Sequence, residues 1–487
     1  MLTRIYRKSI YMVSFAALLW GLVACAVNPV TGKHQLMLLT EQGEVDLGAQ
    51  TDQSIVQQYG LYADGGLQSY LPSVGMPIAR ISHRPDLAWK FKVMDSPVVN
   101  AFAAPGGYIY VTRGLLASVN NEAELAGILG HEIGHVTARH SASQYSNMML
   151  ANVGLGVGKT LLGNYGAALG PLMDAGTGLL FLKFSRDNER EADSLGVEYA
   201  SRAGYDAARL ADFFDSLQQM KTLGQTGSAS QLPEFFSTHP NPVNRQKTVR
   251  SMATEWQKRL SNQAFRVNQD QYLERIDGLV YGDDPRKGFR EDNHYYWPEL
   301  GVQFLLPQSW LFEREGTQIQ ILHPDKRGLV MIGVERGGNI EQISSRFVSS
   351  LQGKVLDSQD STVDGMPSKE LLVLMIDGGK RLLLLSRYFL KNNQVFMFHA
   401  LCAEKEFAAI RTELSLPAAS FSLIKDPQKL NPRRQRIHVQ AVSQSMTLQN
   451  ALQAFGVNAQ DWDRIAWLNA MQLKDMLAPG QKIKLLK

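Results

Sequence analysis

The chain has 487 residues, which is long enough for two or three domains. Its 50 lysines and arginines against 46 aspartates and glutamates give a formal net charge of only +4 at pH 7, and both signs are scattered along the chain. We therefore expect no nucleic-acid partner. Only two cysteines occur, which excludes a disulfide-rich scaffold.

The N-terminus has the pattern of a secretory signal. Basic residues precede an apolar run at 10–24 that is too short, and too closely followed by polar sequence, for a stable membrane span. The LVAC sequence at 22–25 resembles a bacterial lipobox, so we predict removal of residues 1–24 and lipidation of Cys25, which leaves no internal disulfide. Ala26 in place of aspartate favours anchoring in the periplasm, at the inner face of the outer membrane. A cleaved, unanchored protein is the alternative.

The clearest chemical motif is the HEIGH sequence at 131–135. Asn121 is a helix cap with a glutamate three residues later, and apolar residues at helical spacing predict one helix over 122–140. On a helix the motif places two imidazoles one turn apart on the same face, with a carboxylate beside them. This is the pattern of a zinc site with its own general base.

Two glycines, Gly130 and Gly134, flank the ligand positions. Each weakens a helix by about 1 kcal/mol relative to alanine, so we expect another element or a peptide to approach closely there.

Two histidines leave a catalytic zinc ion one protein ligand short, because such sites take three and keep a fourth position open. The segment 185–193 offers four carboxylates on a second predicted helix, capped by Ser185 and ending near residue 204. Glu189 and Asp193 share a face, so one of them is expected to bind zinc while the other orients a ligand histidine. Glu191 lies on roughly the opposite face, where we expect a solvated charge or an ion-pair partner.

Together the two motifs resemble the HtpX-like and CAAX-prenyl-protease-like zinc metallopeptidases, in particular their soluble periplasmic lipoprotein branch. Further matching sequences are NPVTG at 28–32, NAFA at 100–103, STHP at 237–240 and the arginine at 245. The resemblance implies that Glu189 is the third zinc ligand beside His131 and His135, and that Asp193 supports the ligands. It also implies that His239, with Arg245, stabilises the oxyanion or fills the open zinc position at rest.

Two further features are expected to lie outside the zinc chemistry. Other histidines, such as His83 and His140, are predicted to be solvated or packed. The segment 148–182 is rich in small and apolar residues but is interrupted by polar ones, so it fails as a membrane span. We expect a mobile lid there, with core packing as the alternative.

Beyond a metallopeptidase domain at 25–261, the polar stretch 262–293 is expected to be a linker. Residues 294–425 contain strand-like runs and two helical segments and predict an α+β accessory domain without catalytic residues. Residues 433–487 are similar to a degraded LysM-type module, since SMTL at 445–448 replaces the usual GDTL. Peptidoglycan contact and a structural or protein-contacting cap both stay open for this module.

The predicted fold class is multidomain α+β. It combines a mainly helical zincin-type domain that has a small edge sheet, an α+β domain and a small βααβ module.

The predicted function is a zinc endopeptidase of the bacterial envelope with one zinc ion per chain. Glu132 is the expected general base, which takes a proton from water and passes it to the leaving amine. Substrates, expected to be unfolded or misassembled envelope proteins, would add as an extended strand along Asn100, Ala101 and Phe102. The alternatives are a lipid-anchored chaperone or assembly scaffold with weak or latent proteolysis, and a glycan-anchoring module with a vestigial peptidase.

Overall fold

The computed structural model describes residues 25–155, 184–225, 235–239, 244–315, 317–351 and 353–487. The predicted signal peptide therefore lies outside the described residues, as does the 148–182 segment beyond residue 155. Within the described ranges, no helix combines the length and the apolar character needed to cross a bilayer. The described residues form two units, one comprising those within 25–155, 184–282 and 435–487, and the other comprising those within 283–434.

The first unit is mainly helical and contains a small sheet. In this sheet Lys90–Met94 runs parallel to Tyr108–Thr112, which pairs antiparallel with the edge strand Ala101–Ala104. A two-stranded hairpin, Cys25–Val27 with His34–Leu36, precedes it. The described helices of this part are Glu41–Tyr59, Gly65–Arg80, Arg113–Ser118, Glu122–Thr137, His140–Leu155, Arg186–Arg202, Arg209–Gln225, Phe235–Thr238, Arg245–Arg259 and Gln269–Ile276.

The helix that carries the HEIGH sequence, here called the motif helix, spans Glu122–Thr137. Its predicted start is confirmed, because the side chain of Asn121 accepts a hydrogen bond from the backbone N of Glu124. Its predicted end at residue 140 is wrong. Arg139 has φ 60°, a left-handed conformation that an α-helix does not continue through, and a new helix begins at His140.

The motif helix packs closely against the helix Arg186–Arg202, here called the acidic helix, through glycines. A Cβ added to Gly130 would lie 2.8 Å from the carbonyl oxygen of Gly196, and one added to Gly196 would lie 2.8 Å from the backbone N of His131. A Cβ added to Gly134 would likewise lie 3.1 Å from Cβ of Leu195. The close approach expected at Gly130 and Gly134 is thereby confirmed. The two backbones come near enough for short carboxylates of one helix to reach the histidines of the other.

The prediction of a linker over 262–293 is wrong for its first part. Residues 262–282 belong to the first unit and contain the helix Gln269–Ile276, whose Tyr272 and Ile276 are fully buried. The Tyr272 hydroxyl donates a hydrogen bond to the carbonyl of Leu116. The polar composition of the stretch concealed a two-turn amphipathic helix that fills the core with only three side chains.

The second unit is an α+β structure built on an antiparallel sheet of seven strands, which confirms the strand-like runs and both helical segments predicted for 294–425. In sheet order the strands are Lys354–Val363, Met366–Asp377, Lys380–Lys391, Gln394–Ala403, Gly328–Arg336, Gln318–Leu322 and Leu311–Glu315. In a smaller sheet the strand order is Ser422–Leu423, Val302–Leu305, His294–Trp297 and Phe289–Glu291. The described α-helices of this unit are Ile340–Leu351, Glu404–Ala419 and Pro427–Leu430. Sequence missed the edge strand Lys354–Val363 because nearly all of its side chains are exposed, so no alternation marks it.

The C-terminal module has the predicted strand, helix, helix, strand order. Ile437–Ala441 pairs antiparallel with Lys482–Leu486, and the helices between them are Leu448–Ala454 and Trp462–Leu468. This module belongs to the first unit. Trp467 is buried in that unit's main core and donates from Nε1 to the carbonyl of Ser216 at 2.8 Å.

A buried lysine of the last strand adds to this attachment. Nζ of Lys484 donates to the carbonyls of Ala117 and Val119, at 2.9 Å each, just before the motif helix begins. Burial lowers the pKa of this amine from its ordinary value. The module is thus fastened to the chain segment that leads into the motif helix.

Candidate metal centre

Four buried side chains converge between the motif helix, the acidic helix and the short helix Phe235–Thr238. Nε2 of His135 lies 3.1 Å from Nε2 of His131 and 3.4 Å from Oε1 of Glu189. Nδ1 of His239 lies 3.0 Å from the same Glu189 oxygen and 3.3 Å from Nε2 of His131. All four ligand atoms fall within 4.8 Å of one another. Ligands bound at zinc's usual 2.0–2.1 Å are themselves roughly 3.3 Å apart, so the spacing suits one ion.

A second observation also fits a metal ion. Several carboxylate oxygens at this cluster are buried and make no hydrogen bond to a described residue. Among the described residues, both carboxylate oxygens of Glu132 are buried without a hydrogen-bond partner, and Oε2 of Glu189 makes no hydrogen bond but forms an ion pair with Arg245 at 3.2 Å. Leaving such acceptors unpaired is costly unless a cation or a water satisfies them. Two imidazoles and a carboxylate form the donor set of a catalytic rather than a closed structural site.

Burial and neighbouring charges set the protonation of these groups. Burial lowers the pKa of His135 well below its ordinary value, which keeps its imidazole neutral, as a ligand must be. Burial acts to raise the pKa of Glu189, but His239, His135 and His131 outweigh it and the pKa is lowered. For Glu132 burial prevails, and the pKa of its carboxyl is raised although His239 and His131 oppose this.

Asp193 and Arg245 lie behind His131. Oδ1 of Asp193 is 2.9 Å from Nδ1 of His131, and both of its oxygens accept from Arg245, at 2.6 and 2.7 Å. Burial acts to raise the pKa of Asp193, yet Arg245 and His131 override it and the pKa is lowered. Arg245 also approaches Oε2 of Glu189 at 3.2 Å, while its buried Nη1 makes no hydrogen bond to any residue that the structure describes.

His239 is held close to the centre by its own short helix. Its ring stacks on Phe235 with centroids 4.6 Å apart, and its Nε2 lies 3.5 Å from Oε1 of Glu132. The backbone N of Phe235 donates to the carbonyl of Val99 at 3.3 Å, just before the edge strand Ala101–Ala104. The segment that carries His239 therefore touches the chain that leads into Asn100, Ala101 and Phe102.

Two residues that sequence reasoning placed outside the zinc chemistry reach the centre from behind. Nδ1 of His140 lies 3.0 Å from Nδ1 of His135, and Nε2 of His140 lies 3.1 Å from Oε2 of Glu191. His140 is packed and Glu191 is an ion-pair partner, as expected, but their connection to His135 was missed. Helical periodicity could not reveal it, because His140 stands beyond the break at Arg139.

Residues 67–253 match peptidase family M48. Over 253 residues the chain is 30% identical to the beta-barrel assembly-enhancing protease of Escherichia coli O157:H7, which covers 50% of each chain. It is 34% identical over 172 residues to the mitochondrial metalloendopeptidase OMA1 of Arabidopsis thaliana, covering 35% of this chain and 33% of that protein. The mitochondrial metalloendopeptidase OMA1 of Bos taurus is 30% identical over 236 residues, 45% of this chain and 44% of its own.

The chain spans half or less of the length of these relatives. The family match nevertheless contains the whole buried cluster, from the motif helix to Arg245. Over residues 67–253, this chain is thus similar to the metallopeptidases of family M48.

Proposed function

We propose that the protein is a zinc-dependent endopeptidase of the bacterial cell envelope that hydrolyses unfolded or misassembled envelope proteins. The observation that carries this proposal is the carboxylate of Glu132, which is buried and has no hydrogen-bond partner among the described residues, beside four buried side chains that could hold a metal ion. His131, His135 and Glu189 would hold the ion, which when bound supplies a Lewis acid and lowers the pKa of a water molecule.

The remaining chemistry belongs to the chain's own side chains. Glu132 takes the proton of the attacking water and returns it to the leaving amine, and its raised pKa suits a group that must do both. Within the part of the chain that the structure describes, Nε2 of His239 and Nη1 of Arg245 are buried and make no hydrogen bond, so both could donate to a developing oxyanion. Asn100, Ala101 and Phe102 lie at the edge of the sheet, where an extended substrate can pair with the main chain.

Metal removal tests this proposal. We expect the purified protein to cleave casein, a largely unfolded substrate, to lose this activity on dialysis against a chelator, and to regain it with one equivalent of zinc per chain. A parallel sample receiving magnesium should stay inactive, because magnesium prefers six oxygen ligands. Undiminished cleavage by protein shown to be free of metal would contradict the proposal.

A second candidate function is a lipid-anchored chaperone or assembly scaffold whose proteolysis is latent. The contacts of His239 with Glu189 and His131 favour it, because a side chain among the ligands can fill the position that water needs. The two candidates differ in what happens when this imidazole is removed.

Replacement of His239 by alanine should therefore raise basal casein cleavage and self-cleavage, since water regains the fourth position. If His239 acted only on the oxyanion, turnover would instead fall by roughly 10²- to 10³-fold, the cost of one lost oxyanion donor. Product bands from the variant and from the control His438→Ala, a partly exposed histidine paired with Asp277, distinguish the two when followed over time. A simple loss of rate at unchanged zinc content would contradict the idea that His239 fills the position of the water at rest.

The envelope location rests on Cys25, and we propose lipidation there. Replacement of Cys25 by serine should move the protein from the membrane fraction to the soluble periplasmic fraction, because each buried CH₂ of an acyl chain contributes about 0.8 kcal/mol to anchoring. Cell fractionation beside a Cys402→Ser control measures this. Membrane association that survives in the Cys25→Ser variant would point to the segment 148–182 instead.

For the C-terminal module we favour the structural cap over peptidoglycan contact. Nε1 of Trp467 and Nζ of Lys484 both donate to main-chain carbonyls of the helical part of the first unit. These hydrogen bonds support a structural role for the module.

A further inference from the structure

His135, the second histidine of the HEIGH sequence, contacts a pair of side chains that extends to the protein surface. His140, buried, lies between His135 and the carboxylate of Glu191, whose side chain is 27% exposed. Both contacts have hydrogen-bond distances, 3.0 Å to His135 and 3.1 Å to Glu191. The left-handed turn at Arg139 brings this imidazole back against the helix it has just left.

The direction of the hydrogen bonds follows from the chemistry of the end group. An ionised carboxylate only accepts, so Nε2 of His140 donates to Glu191. In a neutral imidazole the other nitrogen is then an acceptor, and Nδ1 of His140 must receive its hydrogen from Nδ1 of His135. This leaves the lone pair of His135 on Nε2, the nitrogen that faces His131 and Glu189.

His131 is supported in a parallel way. Its Nδ1 meets Asp193 directly at 2.9 Å, which also turns Nε2 toward the centre. The acidic helix thus supplies three carboxylates to one site, Glu189 as a ligand and Glu191 and Asp193 as the ends of two supports. Glu191 lies on the far side of that helix, so an intervening imidazole is needed to span the gap to His135.

We propose that His140 and Glu191 form a relay that fixes the tautomer and orientation of His135, and that both are positioning residues of the metal centre. The proposal rests on the metal site of the proposed function. Its alternative is that the pair only fastens the helix His140–Leu155 to the acidic helix. A fastening role predicts lower stability at unchanged metal affinity, whereas a relay predicts lower metal affinity.

The test measures zinc dissociation constants by competition with a chromophoric chelator in the full-length protein. We expect Glu191→Ala and His140→Phe each to weaken zinc binding by roughly 10- to 100-fold, the range for loss of a partner that orients a metal ligand. The double variant should be no weaker than the worse single one, because both changes break the same chain of hydrogen bonds. Glu191→Gln keeps an acceptor oxygen and should restore most of the affinity.

The matched control is Glu198→Ala. Glu198 lies on the same helix, is similarly exposed at 22% and, among the described residues, forms an ion pair with Arg202 alone, so its loss should leave zinc affinity unchanged. Replacing zinc by cobalt adds a spectroscopic readout, since a reoriented His135 alters the visible absorption of the bound ion. The unfolding temperature of each metal-free variant measures any effect on the fold.

Three results would overturn the proposal. Wild-type zinc affinity and cobalt spectra in both single variants would eliminate the relay while leaving the metal site in place. Lower unfolding temperatures with unchanged affinity would assign the pair to fastening. Failure of the wild-type protein itself to bind zinc would remove the proposed function together with the relay.

Discussion

Replacement of Glu132 by glutamine is expected to abolish casein cleavage while the protein keeps one zinc ion per chain. The amide has the shape of the carboxylate but cannot accept the proton of water, and the three ligands His131, His135 and Glu189 are untouched. Loss of a positioned general base costs about 10²- to 10⁴-fold in rate. Because the carboxylate has no hydrogen-bond partner in the described structure, the change breaks no hydrogen bond there and weakens only the 3.5 Å ion pair with Nε2 of His239.

Cleavage rate and zinc content are measured on the same preparation, with Glu198→Gln as the control for a Glu-to-Gln change at an outer site. Cleavage at the wild-type rate by Glu132→Gln would show that another group takes the proton.

Replacement of Glu189 by alanine is expected to cause loss of the bound zinc. Glu189 contributes the only carboxylate among the four clustered ligand candidates, and its loss leaves two histidines that share a motif and one that comes from a separate loop. We expect the affinity to fall well beyond the roughly 10- to 100-fold that accompanies loss of an outer partner. Activity should disappear with the metal.

Zinc content after gel filtration measures this, beside Glu191→Ala. That second variant keeps all ligand atoms and should stay loaded when zinc is in excess, even though its affinity is reduced. Equal zinc loss from the two variants would show that the ligand has been assigned to the wrong carboxylate.

The motif helix and its partner were predictable because local rules decide them. The side chains of Asn121 and Ser185 accept hydrogen bonds from the first turns of their helices, as capping residues do. Gly130 weakens its helix but allows the acidic helix to approach closely. Which acidic residue binds was not decided by spacing, because Glu189 and Asp193 share a face. Only the resemblance to a family distinguished them.

The connections that sequence reasoning missed depend on breaks in regular structure. Nothing in the residue pattern predicts that Arg139 takes a positive φ, so the return of His140 onto His135 could not be read from helical periodicity. The helix at 269–276 was hidden in the same way, since three buried side chains in eight residues leave a weak signal against a polar background.

Lys484 also has a consequence for the order of events during synthesis. It is 367 and 365 positions along the chain from the two carbonyls to which it donates, so these contacts cannot form until the ribosome has translated residue 484. Contacts so distant in sequence are slow to close. A nascent chain therefore acquires the proposed ligands long before it can fasten the entrance of the helix that carries them. We therefore expect the entrance of the motif helix to be fastened only after the strand Lys482–Leu486 has been translated.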